Sequence, residues 1–403
     1  MPIKKTSFSE HFRQSLIALI LVPFGLIAGI FISTLNPILS SVPWIFIVFQ
    51  PFLSNIGNLG GIYCGNLSTS LHLGLIEPRI LNNTKVFKSM VSSIITLFLI
   101  NGLFIGFFGY FLGIILGLIK NISILSFFFL TSLTNFASCC FMIPTSFFIS
   151  VLGIKRGFDP DVILYPITAT LNDIFIAFIF VANVNLFLII QIPIREILGL
   201  IFLMITIALI GFLLFFNRNS KKYNQIFRES VFVIITLAFL DNVTGSILSG
   251  LENSFKILPA LLVVYPVLNS TSGAQASMVA SQLSSDFPLG IVEPKLSLYK
   301  RKNYRNFLFA AIINGSIICT ICALLGFMFA DFFGINLLIF NFILIIILVN
   351  LCTFGILQFL AVSIAILIYT RGLDPDNFGN PILTSISDLT SILFLSLFII
   401  VLI

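Results

Sequence analysis

The sequence predicts an all-α polytopic membrane protein of about eleven transmembrane helices, arranged as two parallel five-helix repeats joined by a linker transmembrane helix. Three observations predict it: composition, the length of the apolar runs, and an internal duplication. Of 403 residues, 58% are hydrophobic and only 9% charged, whereas soluble domains carry about 25% charged residues. Many continuous apolar runs exceed the ~20 residues that span a bilayer as a helix. Their continuity excludes the alternating strands of a transmembrane β-barrel.

The apolar runs define the predicted elements in chain order. We predict spans at residues 14–34, 43–63, 87–117, 121–153, 161–191, 196–216, 229–250, 257–281, 305–331, 335–369 and 377–403. Of the 21 Lys and Arg residues, all but Lys120, Arg195 and Lys256 fall on the side that holds the N-terminus. Because Lys and Arg concentrate in cytoplasmic loops, we expect a cytoplasmic N-terminus and an external C-terminus.

The same charge distribution identifies the expected surroundings of the chain. Its net charge of +6 is accounted for by the cytoplasmic loops, so we expect no nucleic-acid partner. The expected partner is the lipid bilayer, and the expected location is the cell membrane, in which the chain is an integral protein.

The duplication is visible in two stretches. GFDPDVILYPITATLND at 157–173 returns as GLDPDNFGNPILTSISD at 372–388, and LGLIEPRI at 73–80 returns as LGIVEPKL at 289–296. The longer stretch recurs at a constant offset of 215 positions. In both of its copies, an Asp-Pro-Asp triplet is typical of a helix start, with proline in the first turn and aspartate near the cap.

We place the first repeat at 14–191 and the second at 229–403. Residues 192–228 form the linker transmembrane helix and a cytoplasmic loop. Five spans alone would invert the second repeat, and the linker span restores its orientation. Parallel repeats of this kind are related by an axis along the membrane normal. We therefore expect a transport path at the interface of the two repeats.

The duplicated aspartates, Asp173 and Asp388, lie within apolar spans. A carboxylate at the centre of a bilayer costs about 2.5–3.5 kcal/mol on insertion scales, so its presence in both copies indicates function. Thr170 and Ser385 precede them by three residues, which places a hydroxyl on the same helical face. Hard oxygen ligands suit Mg²⁺, Ca²⁺ or Mn²⁺. Two carboxylates carry the charge that one divalent cation neutralises, so we predict a divalent metal site.

Other polar residues recur at equivalent positions of the two repeats, and each pair has two alternative roles. Asn101 and Asn314, and likewise Asn135 and Asn350, could line the path or could form interhelical hydrogen bonds. Glu77 and Glu293, which precede prolines after a span, could mark a pore mouth or a helix end. Asp241 in the seventh span aligns with Gly25, so it is not a repeated element and is assigned no role.

These residues resemble the MgtE-type magnesium transporters, specifically the solute-carrier branch in which two MgtE membrane domains are fused. The resemblance rests on Asp-Pro-Asp, the proline at the span entry and the aspartate of LND and SISD. It implies that Asp173 and Asp388 line the ion path. The family's Gly-Asn signature after a proline matches Gly57-Asn58, which makes Asn58 a further candidate ligand. The second repeat lacks this asparagine, because Gly273 is followed by Ala274.

The resemblance implies transport of Mg²⁺, or of other divalent ions such as Mn²⁺ or Co²⁺, with no cofactor. Bacterial relatives are gated by cytoplasmic CBS domains. This chain has about 13 residues before its first span, so we expect that gating to be absent or supplied by a regulatory partner.

Two other functions could use a pair of intramembrane aspartates. The aspartates could serve as a proton relay in a secondary transporter of another solute, and the sequence leaves this reading open. An intramembrane enzyme is disfavoured, because the aspartates stand in Asn-Asp and Ser-Asp rather than in the Tyr-Asp and Gly-x-Gly-Asp contexts of membrane aspartyl proteases. We predict that the protein is not an enzyme.

Overall fold

The computed structural model describes residues 8–39, 41–79, 83–120, 122–155, 160–287, 290–332, 339–372 and 375–402. Within these ranges the chain forms α-helices joined by short loops and 3₁₀ turns, and no strand. The helices are α1 (Phe8–Leu19), α2 (Gly25–Ser33), α3 (Ile45–His72), α4 (Lys85–Ile115), α5 (Ile124–Lys155), α6 (Pro160–Ile189), α7 (Ile192–Asn217), α8 (Lys221–Gly250), α9 (Glu252–Ile257), α10 (Pro259–Asp286), α11 (Lys302–Phe332), α12 (Ile339–Arg371) and α13 (Pro375–Leu402).

Ten of the eleven predicted spans each correspond to one of these helices. Nine helices of the described chain are long and apolar enough to cross a membrane: α3 to α8 and α11 to α13. The protein is therefore all-α and polytopic, as predicted. Helix α10 equals α3 in length, with 28 residues each, but it is more polar through its middle and is not one of the nine.

The first predicted span, 14–34, is wrong as a single helix. It divides into α1, a 3₁₀ turn at Val22–Phe24 and α2. Pro23 lies in that turn, and a proline removes a backbone donor and clashes with the preceding turn of a helix. The corresponding part of the second repeat carries Phe239, and α8 runs through it without a break.

The Asp-Pro-Asp triplets start helices, as predicted. Helix α6 begins at Pro160 and α13 begins at Pro375. Proline suits this position because its missing N–H would have no partner within the helix. The first aspartates of the triplets, Asp159 and Asp374, lie outside the described residues.

The chain divides into two compact units. The continuous unit is Phe31–Asn253, and the composite unit joins Met1–Ile30 to Ser254–Ile403. In the continuous unit, α3 is almost wholly buried and contacts α4, α5, α6 and α8. Helix α7 packs on α5 and α4 but is largely exposed, which suits an apolar helix that faces lipid.

In the composite unit, α10 takes the place that α3 has in the continuous unit. It contacts α11, α12 and α13, while α1 packs mainly on α11. The buried face of α10 includes Ala276, Val279 and Leu283, which share one core cluster with Ala311 of α11 and Phe354 of α12. Each unit thus surrounds one buried central helix with the helices that carry the polar residues.

The two compact units and the two predicted repeats differ by one pair of helices. Helix α8 belongs to the predicted second repeat but packs against α3 and α4 of the continuous unit. Helix α1 belongs to the predicted first repeat but packs within the composite unit. Each unit therefore contains the leading helix of the other repeat. The repeat boundaries at 14–191 and 229–403 stay a prediction.

Candidate functional site

Asp173 lies in α6, on a face that is packed inside the continuous unit. Its side chain is 7% exposed, and that of Thr170 is 8% exposed. The helix is fixed by polar contacts to its neighbours: Thr145 Oγ1 of α5 donates to Asn172 Oδ1 at 3.4 Å. On the other side, Cys64 Sγ of α3 lies 3.6 Å from Thr168 Oγ1. The predicted pair of hydroxyl and carboxylate is therefore buried on one side of α6.

Asp388 has the same setting in α13 of the composite unit. It is 7% exposed and Ser385 is fully buried. The preceding residue, Ser387, has a buried hydroxyl with no hydrogen-bond partner among the described residues. A methyl group built on Gly273 of α10 would lie 3.9 Å from this hydroxyl. The central helix of the unit thus comes close to α13 beside the aspartate.

Asp173 and Asp388 therefore occupy corresponding places in two separate units. Pro381 lies inside α13, one turn before Ser385, whereas the side chain of Pro166 lies outside the described part of the chain. The role of the two aspartates in binding a metal stays a prediction.

Asn58 lies at the middle of α3 and contacts Asp241 of α8, a residue that comparison of the two repeats left without a role. Its amide nitrogen donates to Oδ2 of Asp241 in α8, at 3.2 Å. Both side chains are 1% exposed. Comparison of the repeats dismissed Asp241 because it has no counterpart, yet a carboxylate within an apolar span is itself the signal that could have identified it.

The asparagines of the continuous unit form a chain between helices. Asn101 of α4 donates to Asn55 Oδ1 of α3 at 2.6 Å, and Asn55 donates to Asn135 Oδ1 of α5 at 3.4 Å. Asn135 in turn donates to the carbonyl oxygen of Phe98 at 2.9 Å. For Asn101 and Asn135, the structure therefore favours interhelical hydrogen bonding.

The corresponding asparagines of the composite unit are bonded differently. Asn314 donates to the carbonyl oxygen of Phe12 and to the hydroxyl of Ser15, both in α1, at 2.8 and 2.6 Å. Asn350 is fully buried, and neither of its side-chain polar atoms has a hydrogen-bond partner among the described residues. Interhelical bonding therefore accounts for Asn314 but not for Asn350.

Glu77 and Glu293 lie in two loops of the same design. Each forms an ion pair with the basic residue two positions later, Arg79 or Lys295. The glycines that follow the preceding helices, Gly74 and Gly290, both have φ of 67°, a backbone conformation that favours glycine. The hydrogen bond from Lys295 lowers the pKa of the Glu293 carboxyl. Both glutamates are exposed, and the geometry favours the helix-end reading.

The described residues contain no group of three or more His, Cys, Asp and Glu side chains that could hold a metal ion. The oxygens available inside the units are instead single carboxylates, amides and hydroxyls.

The chain is also similar to a known protein family. The model of a family described as the MgtE divalent cation transporter matches residues 50–183 and again 265–398. The two matches are displaced by 215 positions, the offset of the duplicated stretch, and confirm the internal repeat. Comparisons with curated proteins and with solved structures found no match.

Proposed function

The chain belongs to the MgtE family of divalent cation transporters, and from that premise we propose that Mg²⁺ is the main cation it carries. Mn²⁺ and Co²⁺ are the secondary candidates. The observation that carries the proposal is the burial of Asp173 and Asp388 at corresponding points of two apolar helices. No cofactor is needed for this function, because the ion itself is the cargo.

The chemistry of the buried oxygens supports a hard divalent ion. At an effective dielectric constant near 20, two unit charges about 4 Å apart interact by roughly 4 kcal/mol, and a divalent ion doubles this. An attraction of that size exceeds the ~2.5–3.5 kcal/mol cost of placing one carboxylate in the membrane. A monovalent cation would leave one of two carboxylates uncompensated.

The path that we propose passes between the two repeats and is lined by Asp173 and Asp388. This placement rests on the duplication and on the parallel orientation of the repeats. Thr170 and Ser385 would contribute hydroxyl oxygens on the same faces of α6 and α13. Asn350, whose amide has no partner among the described residues, is the candidate of the four paired asparagines with the strongest claim to line it.

The protein is an integral membrane protein, and we propose the cell membrane as its location. The N-terminus would be cytoplasmic and the C-terminus external, as the distribution of Lys and Arg favours. We also propose that a regulatory partner controls transport. The proton-relay transporter stays the alternative function, and a transporter family gives no reason to expect an enzyme.

Flux through reconstituted protein tests this function. The purified chain is placed in liposomes that contain a Mg²⁺-sensitive dye, with equal pH and equal Na⁺ on both sides. We expect Mg²⁺ to enter down an imposed Mg²⁺ gradient, and Mn²⁺ or Co²⁺ to compete with it. Proton movement without flux of any of these divalent ions would contradict the proposal and favour the proton relay.

A further inference from the structure

The contact between Asn58 and Asp241 lies in the continuous unit and is not part of the duplication. We propose that these two residues form a cation-binding pair, in which Asp241 supplies charge and holds the amide of Asn58. This inference rests on the proposed function, because the cation it binds is the transported one. It adds a third intramembrane carboxylate to Asp173 and Asp388.

The hydrogen bond fixes the direction of the Asn58 amide. Its nitrogen donates to Asp241 Oδ2, so its carbonyl oxygen points away from that carboxylate. Groups that hold a ligand in this way set the orientation of the ligand oxygen and raise its affinity for metal. The pair therefore offers a cation one oriented amide oxygen and a nearby negative charge.

Packing of α8 against α3 does not require the negative charge of Asp241. Helix α3 carries no Asp, Glu, Lys or Arg, and through Asn55 it is joined to α4 and α5 by neutral amides alone. Near the start of α8, Lys222 donates to Asn66 of α3 at 2.8 Å, so a second polar contact already joins α3 to α8. A neutral residue in place of Asp241 could make the same hydrogen bond to Asn58 without the insertion cost of a carboxylate. The presence of a carboxylate at this position therefore favours a role in cation binding.

The corresponding positions of the composite unit lack both members of the pair. Asp241 is replaced by Gly25, where a methyl group would lie 3.3 Å from Val267 of α10. Neither Gly273 nor Ala274, at the point corresponding to Asn58, has a polar side chain. The two residues are thus present together in one unit and absent together from the other, as expected of a functional pair.

The surroundings of the pair are polar on the α3 side. Asn55 lies one helical turn before Asn58 and accepts a hydrogen bond from Asn101. The side-chain oxygen of Asn101, which is 2% exposed, has no hydrogen-bond partner among the described residues. A buried acceptor of this kind requires a donor or a cation. Around the middle of α3, the carboxylate of Asp241 on α8 therefore lies near amide groups of α3 and α4.

The test is Mg²⁺ uptake by Asp241→Asn in liposomes. Asparagine keeps the size of the side chain and can still accept from Asn58, so only the charge is removed. We expect KM for Mg²⁺ to rise about tenfold or more, with folding intact by thermal melting. Glu229→Gln removes a charge from the same helix near its cytoplasmic end, and we expect it to keep the wild-type KM.

A second variant tests the pair from α3. Asn58→Ser shortens the amide side chain to a hydroxyl, and we expect a rise in KM of about fivefold or more. If Asp241→Asn does not fold, the KM of Asn58→Ser alone tests the cation-binding pair. When the two changes are combined, the increase in KM should be smaller than the product of the single increases.

A KM at the wild-type value in Asp241→Asn, or in Asn58→Ser where the first variant does not fold, overturns the cation-binding pair. If Asp241→Ala raises the KM for Mg²⁺ while Asp241→Asn keeps the wild-type KM, the pair is likewise overturned. That result would leave Asp241 with a structural hydrogen bond only. These results are distinct from failure of the proposed function, in which the wild-type chain itself moves no divalent cation.

Discussion

At the scale of single residues, equivalent backbone carbonyl groups in the two units accept hydrogen bonds from different amide side chains. In the continuous unit, Asn135 of α5 donates to the carbonyl oxygen of Phe98. In the composite unit, Gln275 of α10 donates to the carbonyl oxygen of Ala311 at 2.8 Å, the residue that corresponds to Phe98. Because Gln275 has taken over this contact, the amide of Asn350 is released from it.

This exchange predicts opposite effects of one substitution at two corresponding positions. Asn135→Leu should lower the free energy of unfolding by about 1–3 kcal/mol, because Asn55 loses its buried acceptor. Asn350→Leu should leave the free energy of unfolding unchanged or raise it, because it replaces a buried amide that has no hydrogen-bond partner among the described residues with an apolar group of similar size. Thermal unfolding of the detergent-purified variants measures both. Equal destabilisation by the two substitutions would contradict the assignment of Asn350.

The candidate residues that could be predicted from the sequence are those that recur. Asp173 and Asp388 stand out because a costly residue occurs twice at equivalent positions. Asp241 was missed for the same reason, since a comparison of repeats discards what one copy lacks. The contact of Asp241 with Asn58 joins residues 183 positions apart, and only tertiary packing brings them together.

At the scale of helices, α8 is held against α3 by a close backbone approach at Gly245. A methyl group at this position would lie 2.5 Å from the carbonyl oxygen of Phe46 and 2.9 Å from the Cα of Ile47. Gly245 lies one turn after Asp241, so the same face of α8 carries the close approach and the carboxylate. The position of Asp241 relative to α3 therefore depends on this glycine.

Gly245→Ala should separate the two helices. Although alanine is the better helix former, the added methyl group meets backbone atoms that cannot move aside, and overpacking of this kind costs about 1–3 kcal/mol. Gly250→Ala is the matched control, because nothing lies within 4 Å of a methyl group at Gly250. We expect the thermal unfolding temperature to fall for Gly245→Ala and to stay level for Gly250→Ala. An unchanged unfolding temperature in both would refute the close approach.

The helices could be predicted from the sequence where the apolar runs are long. Their ends and the breaks within them could be predicted less accurately. Helix α3 continues to His72 and α8 begins at Lys221, beyond the predicted spans, because helical hydrogen bonds continue through polar residues. The break at Pro23 was missed because hydropathy does not register the loss of a backbone donor.

At the scale of the molecule, the duplication predicted two repeats, and the family match confirms them. The exchange of α1 and α8 between the compact units could not be predicted, because repeat boundaries in a sequence do not say which helices pack together. One consequence is that Asn58 and Asp241, which come from different predicted repeats, meet within a single unit.

The central claim is that Asp173 and Asp388 bind the transported divalent cation, and Mg²⁺ flux through their asparagine variants tests it most directly. We expect Asp173→Asn and Asp388→Asn each to reduce flux in liposomes at least about tenfold, while insertion and thermal stability stay at wild-type values. Glu196→Gln in the linker helix α7 should transport normally. Wild-type Mg²⁺ flux in the Asp173→Asn, Asp388→Asn double variant would contradict the account.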